Sequence, residues 1–111
     1  MSDWKAIRLD IPSDRFLPYL SRILIIVRRN WFTVMPESVK FGLSGRVGVL
    51  FAIARNGTVT KANFASQSGV RVLDQAAIAA ISMSNPFPAL PADFKGDRIV
   101  LQFNFAYNIQ K

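Results

Sequence analysis

The segment Gly45–Ser66 constrains this chain more than any other. Val47, Val49, Phe51 and Ile53 alternate with other residues, so they share one face of a strand. Asn56-Gly57 follows, a pair that tolerates positive φ and is a strong hairpin signal between alternating runs. Thr58, Val59, Thr60, Ala62 and Phe64 supply the returning arm. Gly48 within the first arm predicts a bulge or a close backbone approach. A lone hairpin cannot bury its apolar face in water, so other elements must cover it.

The rest of the chain provides that cover. Asp14–Phe32 reads as a helix, with Phe16, Leu20, Ile23, Val27 and Trp31 spaced along one face. Leu17, Leu24 and Ile25 widen the stripe, which predicts burial on more than one side. Arg22, Arg28 and Arg29 point outward, Ser13 or Asp14 caps the first turn, and Pro36 ends the helix. Val70–Met83 reads as a second helix, with Leu73, Ala76, Ala77, Ala80 and Ile81 inward. Ser68 or Gly69 starts it, and Asp74 complements its dipole. Asn85–Gly96 is a loop held extended by three prolines, with Phe87 and Leu90 plugging the core edge. Asp97–Asn108 is the final strand. Ile99, Leu101, Phe103, Phe105 and Tyr107 face the core, while Val100, Gln102, Asn104, Ala106 and Asn108 face out.

The expected architecture is a two-layer α+β domain in the order α-β-β-α-β. A three-stranded antiparallel sheet carries both helices on one face. With 111 residues the chain forms one domain. Residues 1–13 are a lead-in, 14–108 the domain and 109–111 a tail. Alternation of Ile7, Leu9 and Ile11 allows a short strand in the lead-in.

Composition narrows the chemistry. The chain has no cysteine and no histidine, which removes thiol nucleophiles, the commonest general base and the commonest zinc ligand. The seven acidic residues form no catalytic pair, and there is no phosphate loop or metal spacing. A non-enzymatic domain without cofactor or metal is expected. Fourteen basic residues give a net charge of +7, scattered except for the adjacent Arg28 and Arg29. Scattered charge suits a solvated surface that steers an acidic partner, with Arg28, Arg29 and Arg98 foremost, better than a nucleic-acid stripe. The longest apolar run, Ile23–Val27, is far short of the roughly 20 residues that span a bilayer. No apolar signal-peptide region opens the chain.

The rings of Phe103, Phe105 and Tyr107 invite a base-stacking reading, as in RNA-binding sheets. They share parity with Ile99 and Leu101, which assigns them to the core instead. What remains is the outer edge of the last strand, Ile99, Val100, Leu101, Gln102, Phe103, Asn104, Phe105, Ala106 and Tyr107. That edge must be solvated, covered by a partner strand, or paired with its own copy across a dimer.

Five blocks, in order, carry a resemblance. They are Gly45-x-Val47-x-Val49-x-Phe51-x-Ile53-x-x-Asn56-Gly57-x-Val59, Ser66-x-Ser68-Gly69, Leu73-Asp74-x-Ala76-Ala77, Asn85-Pro86-Phe87-Pro88-x-Leu90-Pro91 and Ile99-x-Leu101-x-Phe103-x-Phe105. Together they resemble the TonB C-terminal domain family, and Tyr19-Leu20-x-x-Ile23-x-x-x-Val27-x-x-x-Trp31 is similar to its opening helix. The resemblance implies a periplasmic domain of a Gram-negative bacterium. Its full-length protein is anchored in the inner membrane beside a proton-driven motor and crosses the periplasm by a proline-rich linker. The domain captures an extended segment, the TonB box, of an outer-membrane transporter by strand addition along Ile99–Tyr107. The sequence carries neither anchor nor linker, so the expectation is an excised domain or a stand-alone member. A TolA-like role bridging envelope layers is the alternative within this class. A basic nucleic-acid-binding domain is the alternative from another.

Overall fold

The computed structural model describes the backbone of residues 6–9 and residues 16–109 in full. The chain folds in the order β1 (Ala6–Leu9), α1 (Leu17–Thr33), α2 (Glu37–Lys40), β2 (Gly45–Ala54), β3 (Val59–Ser66), α3 (Arg71–Met83) and β4 (Arg98–Tyr107). The strands form one antiparallel sheet in the order β1-β4-β2-β3. The two-layer α+β arrangement is as expected, with three of the strands at the expected places. The sheet has a fourth strand, β1, and there is a short extra helix, α2. The expected lead-in is thus partly sheet. In its register Ile7 pairs with Phe105 and Leu9 with Phe103.

Pro36 divides the first helical stretch in two. Its extended backbone (φ −63, ψ 141) stops α1 and serves as the N-cap of α2. α2 buries Val39, and Asn108 Nδ2 donates to the carbonyls of Val39 (2.7 Å) and Leu43 (2.9 Å). The end of β4 is thereby fastened to the turn before β2. α1 starts with Phe16 as N-cap and Pro18 in the first turn. The expected caps, Ser13 and Asp14, lie outside the described residues. α1 is also buried along a single stripe, Tyr19, Leu20, Ile23, Val27 and Trp31. Leu17 and Ile25 are exposed. Leu24 is partly buried and packs against the core, so the stripe widens there as expected, while Leu17 and Ile25 lie on the side of α1 that no described element covers.

β2 and β4 form the centre of the sheet, paired without interruption from Gly45↔Tyr107 to Ala54↔Arg98. Val47, Val49, Phe51 and Ile53 from β2 and Leu101, Phe103, Phe105 and Tyr107 from β4 are buried beneath the helices. α3 packs on β2, and its alanines 76, 77 and 80 allow a close approach. Trp31 meets Phe105 and Tyr107 edge-on, with ring centroids 5.2 and 5.1 Å away. The indole Nε1–H donates to Tyr107 Oη (2.8 Å), whose own hydroxyl donates to the Leu73 carbonyl (3.1 Å). One buried hydroxyl therefore joins α1, β4 and α3. Among the described residues no buried side-chain polar atom lacks a partner.

The hairpin turn differs from a two-residue loop. Ala54 N–H donates to Thr58 O (2.8 Å) and Gly57 N–H donates to Ala54 O (2.8 Å), closing a three-residue loop. Only Gly57 takes positive φ (+95), as in a type I turn followed by a left-handed residue. Phe87 N–H donates to Gly57 O (2.8 Å), so the proline loop sits directly on the turn. The expected bulge in the hairpin is present, as a register shift between Gly48 and Val49. A second shift lies between Leu50 and Ala52, beside Lys61 at φ 51.

Three predictions follow from this packing. Phe103→Ala removes a fully buried ring from the centre of the sheet and is expected to cost about 3–5 kcal/mol in chemical denaturation. A loss below about 1 kcal/mol would contradict its burial. Gly57→Val is expected to destabilise more than an exposed substitution does, because a Cβ at Gly57 collides with the Phe87 carbonyl and the φ is unfavourable. An unchanged midpoint would contradict the turn geometry.

The third concerns pH. Burial pushes the Tyr19 hydroxyl up to about 12, the nearby Arg22 charge opposing in part. Burial also raises Tyr107, partly offset by its hydrogen bond from Trp31 and reinforced by the Asp74 charge. A group whose pKa is raised on folding stabilises fully below its unfolded value, near 10, and that stability is lost as pH rises through the folded value. These are the only two tyrosines. Tyrosinate absorbance near 295 nm should therefore stay absent through pH 10 and appear with the loss of near-ultraviolet dichroism. A midpoint at pH 10 with the native spectrum retained would contradict this.

Candidate functional site

The nine residues Ile99–Tyr107 all lie on β4, between β2 and β1. Their side chains divide by parity. Leu101, Phe103, Phe105 and Tyr107 are fully buried, and Ile99 is partly buried. Buried rings cannot stack on bases, so β4 is not an aromatic base-binding platform. Val100 is exposed, while Gln102, Asn104 and Ala106 are half-buried on the sheet face away from the helices. Gln102 Nε2 donates to Asn104 Oδ1 (2.9 Å), beside the space left by Gly48.

The main chain of β4 divides in the same way. Arg55 N–H donates to Asp97 O (3.0 Å), which sets the odd-numbered residues toward β2. The pairing from Ala54↔Arg98 onward has no register shift, so the alternation holds along the strand. The even-numbered residues, Arg98, Val100, Gln102, Asn104 and Ala106, direct N–H and C=O to the other side. There β1 pairs Leu9 with Phe103, Arg8 with Asn104, Ile7 with Phe105 and Ala6 with Ala106.

The expectation of a free edge along all of Ile99–Tyr107 is therefore corrected. β1 covers Phe103–Ala106, because the short strand in the lead-in satisfies main-chain groups that would otherwise face water. No described strand pairs with Arg98–Gln102 on that side. The alternation of Ile7 and Leu9 was the available signal, but its length could not show which edge it would join.

The open stretch is held firmly at its start. The Arg55 guanidinium donates to the carbonyls of Phe94 and Gly96, the latter at 2.6 Å. Leu90 N–H donates to Arg55 O (3.0 Å), and Val59 N–H to Asn85 Oδ1 (3.0 Å). The hairpin turn thus fixes the proline loop, and the loop delivers the chain into β4. At the far side of the sheet, Asp74 Oδ1 accepts from Ser68 N–H (2.8 Å) and Ser68 Oγ–H (2.7 Å), seating α3. Among the described residues no three His, Cys, Asp or Glu side chains cluster as metal ligands.

Comparison with known proteins agrees with this fold. A family described as Gram-negative bacterial TonB protein C-terminal matches residues 36–109. A search of curated proteins returned no match. Among solved structures, the solution structure of the Helicobacter pylori TonB C-terminal domain superposes with a TM-score of 0.59. The sequences are 19% identical, and the match covers 92% of this chain and 98% of that one. At that identity the likeness speaks for the fold, while the family match spans most of the chain and its hairpin, α3 and β4. The chain belongs to the family of Gram-negative TonB protein C-terminal domains.

Proposed function

We propose that this domain is a non-enzymatic periplasmic binding module that captures an extended segment of an outer-membrane transporter by strand addition at the outer edge of β4. The observation that supports this reading is the side of Arg98–Gln102 with which no described strand pairs, in a strand otherwise fixed along its whole length to β2. Affinity comes from main-chain hydrogen bonds, and side chains beside the edge, Val100 and Gln102, select among segments.

The opposite edge supports the choice by contrast. Among the described strands β3 is paired on one side only, yet it carries both register shifts and the left-handed Lys61. Such an edge is twisted away from an incoming strand. β4 is regular over ten residues. Arg28, Arg29 and Arg98 are exposed and favour encounter with an acidic segment. In the full-length protein, this capture couples an inner-membrane motor to the transporter.

Proline scanning tests the edge. Gln102→Pro removes an N–H directed away from β2 and should leave the fold intact. It should weaken binding of synthetic peptides copying transporter N-terminal segments about tenfold or more, measured by calorimetry. Phe103→Pro strikes the β2 ladder and should unfold the sheet instead. Binding by Gln102→Pro at full strength would contradict capture at β4.

A further inference from the structure

We propose that β1 is a resident stand-in for the captured segment, and that a partner gains the full edge by starting on Arg98–Gln102 and displacing β1 from Phe103–Ala106. This rests on the strand-addition reading above. Beyond the described β1, Arg98, Val100 and Gln102 direct main-chain groups to the side on which no described strand pairs with them. The next two, Asn104 and Ala106, are engaged by Arg8 and Ala6. A segment of more than about five residues, the usual length of a strand, must take the positions that β1 holds.

The placement suits exchange. As described, β1 is four residues long and lies at the rim of the sheet, with β4 as its only partner among the described strands. Its release leaves the ten-residue β2–β4 ladder whole. Arg98–Gln102 adjoins Leu9, the last described residue of β1, so an incoming strand can extend one residue pair at a time into vacated positions. Every outward group of β4 then passes from one strand partner to another without a long period unpaired. The cover also leaves less of the edge open to a second copy of the chain in the absence of a partner.

Amide hydrogen exchange on the full chain reads this directly. If β1 detaches locally, Asn104 and Ala106 exchange at least about a hundredfold faster than Phe103 and Phe105, which are bonded to β2. A reversible lock supplies the second arm. Arg8 and Asn104 are direct cross-strand partners, and the Cα atoms of such a hydrogen-bonded pair lie about 5.5 Å apart, within disulfide reach. The native chain has no cysteine, so Arg8→Cys with Asn104→Cys makes a single bridge.

The probe is a nitroxide-tagged peptide copying residues 1–12, added in millimolar excess to match the effective concentration of the tethered β1. In the reduced protein it should broaden the Val100 and Gln102 amides. Oxidation should abolish the broadening and slow Asn104 and Ala106 to the rate of Phe103. Equal protection of all four amides in the native chain, or equal broadening with the lock closed, would overturn displacement. Local opening with peptide uptake, but no binding of transporter peptides, would uphold displacement and reject the proposed partner.

Discussion

Every residue of β4 carries one backbone donor and one acceptor, and in a strand these alternate between its two sides. The rest of the domain depends on how those groups are shared out. The odd-numbered set is consumed by β2 in an unbroken ladder, and the same parity sends Leu101, Phe103, Phe105 and Tyr107 into the core. The even-numbered set is only partly consumed by β1. Core ladder and outer edge are therefore two sides of one strand. The apolar side secures its position to within a residue, since a slip by one would expose every ring.

The layer above the sheet supports that register. Trp31, Tyr107 and Leu73 bring three elements to one hydroxyl, and the Arg55 and Asn85 contacts tie the proline loop to the hairpin turn. Each contact bridges parts distant in sequence, so each resists sliding of one element past another. A main-chain acceptor needs this rigidity. Its hydrogen bonds are individually weak in net terms, and a wandering edge would lose them to ordering entropy on each encounter.

Much of this was legible from residue patterns alone. Alternation in Val47–Ile53 and Ile99–Tyr107 located two strands and their buried faces, because period-2 burial is local to a strand. The spacing of Leu20, Ile23, Val27 and Trp31 located the core stripe of α1. What failed was relational. Leu17 and Ile25 have the composition of core residues, yet they are exposed on a side of α1 that no described element covers. The four residues of β1 carry an alternating pattern too short to name a partner, and that partner decides how much of the acceptor edge is open. The three-residue turn at Asn56-Gly57 differs from a two-residue one only in which residue takes positive φ, a choice that the contact with Phe87 reinforces.

The central claim is that the outer side of β4 receives an extended segment. It is tested most directly by amide exchange at each β4 residue with and without a bound transporter peptide. The account predicts new protection at Val100 and Gln102, with Ile99 and Leu101 unchanged because β2 already holds them. New protection along Val59–Ser66, with β4 unaltered, would place the partner on the opposite edge and contradict the account.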